Sequence, residues 1–210
     1  MKHPGPPPGA LEALALLGLE LDRDQLHRLA AYERLLREHA PRLGLIAEGD
    51  LPRLFERHVL DSLRAVSALE GEEVCDLGSG AGLPGIPLAI ALPHATFVLC
   101  EPKRRRVGFL ELAVERLELA NASVAPVRAE ELPGESADAC TARAFADHED
   151  AWRTACPILR RGGRLVYFAG RAWRRPARGA ESITDPEQPA SLETSGVLEK
   201  EPPLVIMTRR

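Results

Sequence analysis

The sequence predicts an α/β protein with a doubly wound parallel sheet, a helical extension ahead of it and an antiparallel hairpin behind it. Three observations predict this. From about residue 71, short apolar runs of strand length alternate with helix-length segments, the rhythm of parallel strands joined by crossover helices. The first run leads straight into a glycine-rich loop, Val74-Cys-Asp-Leu-Gly-Ser-Gly-Ala-Gly-Leu-Pro-Gly-Ile-Pro87. Residues 10–70, by contrast, carry helical periodicity alone. The chain is therefore expected to divide into a flexible Pro-rich leader at 1–9, a helical extension at 10–70 packed on the core, and a main domain at 71–210.

In the extension, Ala10–Leu17 is an apolar helix stopped by Gly18. Asp22-x-x-Gln25 is a capping box that opens a second helix, with Leu26, Leu29, Tyr32 and Leu36 on one face until Pro41. A third helix is expected from Asp50 and Pro52 onward, carrying Leu51, Leu54, Phe55, Val59, Leu63 and Val66. None of the three buries its apolar face alone, so all are expected to pack on the sheet. In the main domain the expected strands are 73–77, 96–100, 123–127, 139–142 and 164–168, with helices at 85–92, 105–117 and 150–159. Residues 179–195 read as Gly/Pro/Ser punctuation, and 197–199 with 204–207 as the closing hairpin.

The 210 residues suffice for one core, and the 45% hydrophobic and 28% charged composition excludes wholesale disorder. No apolar run approaches the roughly 20 residues of a bilayer span. The N-terminus lacks the apolar segment of a secretory signal, which points to the cytoplasm. Cys75, Cys100, Cys140 and Cys156 lie at wide spacings without C-x-x-C, as expected of reduced packing residues and not of a metal site. Net charge is −4, yet basic residues clump at Lys103–Arg106, at Arg160, Arg161 and Arg164, and at Arg171, Arg174, Arg175 and Arg178. A local phosphate-binding face is compatible with that acidic total, as is a set of solvated helix ends and loops.

Gly78, Gly80 and Gly82 allow a tight turn and close approach of a ligand at the end of a strand. The stretch fits two templates: Gly80-x-Gly82-x-x-Gly85 is a dinucleotide fingerprint, and Asp76-x-Gly78-x-Gly80-x-Gly82 is the acidic loop of S-adenosylmethionine binders. Asp76 is an awkward neighbour for a pyrophosphate but a suitable one for an amino-acid-bearing ligand. Glu101 at the end of the second strand can take both ribose hydroxyls. Cys156-Pro-Ile-Leu-Arg-Arg-Gly-Gly-Arg-Leu-Val-Tyr-Phe168 resembles the fifth strand region of class I methyltransferases. The three together favour S-adenosylmethionine over a nicotinamide cofactor.

One family is matched more closely. Arg57-His-Val-Leu-Asp-Ser-Leu63, Asp76-Leu-Gly-Ser-Gly-Ala-Gly-Leu-Pro-Gly-Ile-Pro-Leu88, Arg105-Arg-Val-Gly-Phe-Leu110, Asn121, Arg128-Ala-Glu130 and Ala142-Arg-Ala-Phe-Ala146 occur in the order of the bacterial 16S ribosomal RNA guanine-N7 methyltransferases, also called glucose-inhibited division protein B. The chain resembles that family over about residues 11–170. The resemblance implies a Rossmann-like class I methyltransferase sheet and S-adenosyl-L-methionine as cofactor. It also implies 16S ribosomal RNA or the small ribosomal subunit as partner, and a monomer without metal or membrane.

Carried over residue by residue, it implies cofactor contacts at Gly78 and Leu83, a loop shaped by Gly80 and Gly82, and an adenine side lined by Ala129 and Glu130. Arg143 is placed beside the reactive sulfonium as the catalytic residue. A helix-end salt bridge is the other reading of Arg143. Arg105, Arg106 and Arg171 are the expected RNA contacts.

N7 of guanine presents a lone pair, so positioning and not proton abstraction is the expected contribution of the protein. Phe145 is either a platform for the unstacked base or core filler. His58 and Asp61, three apart on a helix, either anchor the extension to the core or meet substrate.

The chain departs from the family pattern at Gly44-Leu-Ile46, at Glu101-Pro102 and at Ala169, where the family usually has a lysine and where Arg171 is a candidate substitute. These departures keep two alternatives open: a methyltransferase acting on a small molecule or protein, and a non-catalytic cofactor- or RNA-binding paralogue.

Overall fold

The computed structural model describes residues 9–69, 73–170, 190–195 and 203–210. Seven strands form one sheet: β1 (Glu73–Leu77), β2 (Thr96–Cys100), β3 (Ala122–Ala125), β4 (Ala137–Arg143), β5 (Leu159–Phe168), β6 (Ala190–Ser195) and β7 (Leu204–Arg209), in the order β3-β2-β1-β4-β5-β7-β6. β1 to β5 are parallel, and β7 runs antiparallel between β5 and β6. The order reverses between β1 and β4, so their carboxyl ends diverge into the crevice where doubly wound sheets bind ligands.

Alternation along the strands sorts side chains onto two cores. Val74, Phe97, Leu99, Val166, Phe168, Leu204 and Ile206 join the helical extension and α4 (Gly85–Ala91) in one cluster. Cys75, Leu77, Cys100, Cys140, Leu165, Tyr167, Val205 and Met207 join α6 (His148–Ile158), with its buried Trp152, in the other. All four cysteines are buried and none forms a disulfide, as expected of packing residues. Burial pushes the Cys100 thiol up to about 12, so it is an inert packing group. α5 (Arg104–Arg116) covers the first face beside α4 through Phe109, Leu110 and Ala113.

The extension begins with α1 (Ala10–Leu16) and α2 (Arg23–His39). The Asp22–Gln25 capping box is present in both directions at 2.8 Å. Gln25 also donates to the carbonyls of Ile90 and Ala91, which ties the start of α2 to the end of α4.

The single third helix expected from Asp50 is corrected. The chain runs as a 3-10 turn (Glu48–Arg53), a π-helical turn (Phe55–Leu60), the one-turn α3 (Asp61–Leu63) and a 3-10 turn (Val66–Ala68). Leu54 and Phe55 recur as Val59 and Leu60, five residues on, and all four are buried. A spacing of five aligns on one face in the wider π turn and not at 3.6 residues per turn.

Two further corrections concern the C-terminal half. The first hairpin strand, expected at 197–199, lies outside the described residues; β6 instead occupies 190–195, a stretch read as punctuation. Its pairing rests on backbone bonds to β7, which polar composition does not prevent at a sheet edge. β5 begins earlier than residue 164, because Leu159 already pairs with Ala137 before the register shifts to Ala139 and Arg164.

At that irregularity Gly163 lies so close to its neighbours that a Cβ would stand 2.8 Å from the Asp138 carbonyl and 2.9 Å from that of Arg160. The amino end of the sheet is closed there by charge. Arg160 reaches Asp138 at 2.7 Å and also pairs with Glu73, whose N–H donates to Asp138 at 3.0 Å. Gly163→Ala is expected to cost about 1–3 kcal/mol, because backbone on both sides must move; urea unfolding at constant m-value measures it.

Candidate active site

The glycine loop leaves β1 with φ of +66°, +58° and +85° at Gly78, Gly80 and Gly82, a left-handed path that L side chains rarely take. Its amides are fixed from three sides. Ser79 N–H donates to the Cys100 carbonyl at 2.9 Å, Gly82 N–H to the Ser79 carbonyl at 2.7 Å, and Gly80 N–H to Glu101 Oε2 at 3.1 Å. From the extension, the fully buried Tyr32 donates its hydroxyl to the Ala81 carbonyl at 2.7 Å. Burial raises the pKa of that phenol, which keeps it a donor.

Asp76 is placed differently from its expected role. It is 1% exposed, its carboxylate accepting from Thr141 Oγ1 at 2.7 Å and from Gly85 N–H at 3.3 Å. Burial raises its pKa and the Thr141 bond opposes the rise. Asp76 thus ties β1 to β4 and to the start of α4, its carboxylate buried under the loop; alternation puts it on the α4 side of β1.

Glu101, directly after β2, is 2% exposed, and it accepts from Gly80 N–H, from Lys103 N–H at 2.9 Å and from Arg106 Nη1 at 3.5 Å. Arg106, expected on RNA, is therefore turned toward the loop, whereas Arg105 is exposed on the first turn of α5. Beyond β3 the chain passes the end of β2, with Cys100 Sγ donating to the Val127 carbonyl at 3.2 Å. That path brings buried Ala129 and exposed Glu130 to the same edge. Arg171 lies outside the described residues.

Beside the loop, a cavity of about 530 Å³ opens between the extension and the carboxyl ends of β4 and β5. Leu83 forms its loop side; Leu45, Ile46, Phe168 and Ala169 its apolar wall; and Arg57, His58, Asp61, Arg64 and Arg143 its polar wall. Arg143 Nη1 is 3.4 Å from Asp61 Oδ2 and 3.4 Å from the His58 carbonyl. Asp61 Oδ1 accepts from Arg64 at 2.7 Å, and that arginine's side chain is 1% exposed. His58 Nε2 is 3.4 Å from Asp50, which also pairs with Arg57. His58 and Asp61 thus do anchor the extension, and they also face the cavity.

Phe145 does not line this cavity. After Ala144, at φ +52°, its ring lies on Gly78, where a Cβ would meet it at 2.6 Å. Among the described residues, Tyr167 and Phe168, with the His58 imidazole, are the rings that line the cavity.

The sequence matches the family described as GidB, rRNA small subunit methyltransferase G, over residues 25–200. The chain belongs to this family. It is 42% identical over 161 residues to the ribosomal RNA small subunit methyltransferase G of Nitrosococcus oceani, covering 76% of this chain and 75% of that one. It is 38% identical over 176 residues to the protein of the same name from Clavibacter michiganensis, covering 83% of each.

Among solved structures, M. jannaschii TYW2 in complex with AdoMet matches at a TM-score of 0.56 and 14% identity, over 78% of this chain and 76% of that one. A protein from Corynebacterium glutamicum matches at 0.54 and 17%, over 95% of each. At these identities the likeness is one of fold. As a family member the chain is an S-adenosylmethionine-dependent ribosomal RNA methyltransferase. Its residues fit that cofactor: a loop turned by left-handed glycines at 78, 80 and 82 lies against the Glu101 carboxylate just past β2, an acceptor suited to the hydroxyls of a ribose-bearing ligand.

Arg57, Arg64 and Asp50 were missed as site residues by sequence reasoning. Arg57 opens the Arg57–Leu63 motif and Arg64 directly follows it, but only the packing of the extension on β4 and β5 reveals that this stretch borders a cavity. Among the described residues no cluster of three potential metal ligands occurs, and no helix is long and apolar enough to cross a membrane.

Two outcomes follow from this geometry. Gly80→Val forces a branched residue to φ +58° and is expected to abolish S-adenosylhomocysteine binding in a folded protein; calorimetry that finds wild-type affinity would remove the loop from the cofactor site. The second concerns His58, whose pKa is lowered by burial and by the Arg143 charge, with Asp50 opposing. The unfolded chain therefore binds this proton first. The His58 contribution is intact above the unfolded pKa of about 6.5 and declines as pH falls from there toward the folded value. Urea unfolding between pH 7.5 and 5.5 should show a larger loss of stability in wild type than in His58→Gln.

Proposed function

We propose that this enzyme methylates N7 of a guanine in 16S ribosomal RNA, acting as a cytoplasmic monomer on the small subunit or its free RNA. Residues 10–70 serve as the lead that completes the site of the 71–210 domain. The cavity carries the reading: it adjoins the glycine loop at Leu83, is large enough for an unstacked base, and is rimmed by guanidinium groups.

When bound, S-adenosylmethionine supplies an electrophilic methyl group on a sulfonium, and the lone pair of N7 accepts it without a base. The protein has to hold and orient. Glu101, with Ala129 and Glu130 beyond it, holds the nucleoside end of the cofactor, and Gly78, Gly80, Gly82 and Leu83 its remainder; Asp76 contributes by fixing the loop. Arg143, standing between loop and cavity, orients the base. The loss of a lysine at Ala169 is offset within the cavity itself, which Arg57, Arg64 and Arg143 line together with the 8% exposed Ala169. Arg105, with Arg171 beyond the described residues, contacts phosphates outside it.

The test is incubation with methyl-labelled S-adenosylmethionine and either small subunits, deproteinised RNA or cell extract, followed by nucleoside analysis. Label in 7-methylguanosine is expected; label confined to protein or a small molecule overturns the proposal. Arg105→Ala should weaken RNA binding, lower the slope of log K against log salt by about one, and leave S-adenosylhomocysteine affinity unchanged.

A further inference from the structure

We propose that Asp61 reads the Watson–Crick edge of the methylated guanine, accepting its N1–H and 2-amino hydrogens, while Arg143 donates to O6. This deepens the guanine-N7 reading above and rests on it. The order of groups along the cavity carries the inference. β1 and β4 pair through Leu77 and Ala142, so Gly78 and Arg143 are the next residues of adjacent strands at the loop end. The Arg143 side chain runs from there to the extension, where its Nη1 lies 3.4 Å from Asp61 Oδ2. Arg143 thus leaves β4 beside the loop and carries its guanidinium to the Asp61 carboxylate of the extension, and Leu83, Arg143 and Asp61 all line the cavity.

Guanine presents a matching series around its ring: N7, then the O6 acceptor, then the N1–H and 2-amino donors. With N7 toward the loop, O6 falls at Arg143 and the two donors at Asp61. Arginine lacks acceptors and a carboxylate lacks donors, so reversing the base leaves like groups facing each other. Adenine in the same pose offers an amino group to Arg143 and a bare N1 to Asp61, so the pair also excludes it.

Asp61 has the capacity for this. Each of its oxygens has one protein donor, Arg64 at 2.7 Å and Arg143 at 3.4 Å, and a carboxylate oxygen accepts two hydrogen bonds. Its side chain is 17% exposed, whereas that of Arg64 behind it is 1% exposed, so the carboxylate is held from the back and open at the front. The long contact to Arg143 is the one a base would exchange for its own.

A tie between extension and sheet is the competing role, and it affects stability without distinguishing one base from another. The experiment therefore compares guanine with inosine, which lacks only the 2-amino group, at the position that wild type methylates, introduced by ligation into the RNA. Single-turnover methylation by wild type is expected to be at least about tenfold slower on inosine. Asp61→Asn is expected to be slower than wild type on guanine, to bring the guanine-to-inosine ratio close to one, and to bind S-adenosylhomocysteine as wild type does.

Equal rates of wild type on the two bases, or a variant that keeps the wild-type ratio, overturn the assignment. If Asn at this position unfolds the chain, Asp61→Glu, which keeps a negative charge for Arg64 but displaces the carboxylate, is read in the same way, with a reduced ratio expected and an unchanged one overturning the proposal. Failure of wild type to form 7-methylguanosine in any RNA is a separate outcome: it removes the guanine-N7 reading and this inference with it.

Discussion

The cavity depends on one charged bridge, Arg64 to Asp61 to Arg143, which spans from the helical extension to the end of β4. Such a bridge is not chiefly a source of stability, since desolvation offsets much of the attraction between its partners. What it fixes is separation. Arg64 is buried and holds Asp61 at 2.7 Å, and Asp61 in turn sets where the Arg143 guanidinium rests. The extension is thus held at a defined distance from the sheet, and the 530 Å³ between them persists as a cavity where two apolar layers would otherwise close.

The glycine loop shows the same dependence on the extension from another side. A loop in which every second residue is a left-handed glycine has little local preference for one path, so its shape must be imposed by what surrounds it. Glu101 holds the Gly80 amide, Cys100 the Ser79 amide, and Tyr32 the Ala81 carbonyl. Two of these restraints come from β2 and the third from α2, which makes the extension part of the binding apparatus and more than an appendage.

The sheet was legible in the sequence because its strands are short apolar runs with clear punctuation; β1 and β2 fall at the expected residues. So were the Asp22–Gln25 cap and the loop glycines, whose roles depend on near neighbours in the chain. The π turn was not, since a spacing of five is read as a helical stripe by anyone assuming 3.6 residues per turn. β6 was not, because an edge strand paired through its backbone needs no apolar signature.

At the site, residue types were easier to find than directions. Asp76 and Arg106 are both near the loop as expected, yet one faces inward to Thr141 and the other toward Glu101, and side-chain direction is decided by strand register and by which charge is nearest. Phe145 shows the limit most clearly: the left-handed Ala144 before it swings its ring onto Gly78 and out of the cavity.

At the opposite end of the sheet, Arg160, Asp138 and Glu73 are linked about the amino ends of β1, β4 and β5, remote from the carboxyl ends that border the cavity. The Arg160 side chain is 40% exposed, so these bonds are ones that salt and substitution can weaken in small steps. A β-strand transmits little of such a change along its length when its neighbours hold it on both sides. The molecule therefore has one end where sequence drift and engineering for heat or salt tolerance can proceed with catalysis untouched, and another where a displaced carboxylate alters which base is chosen.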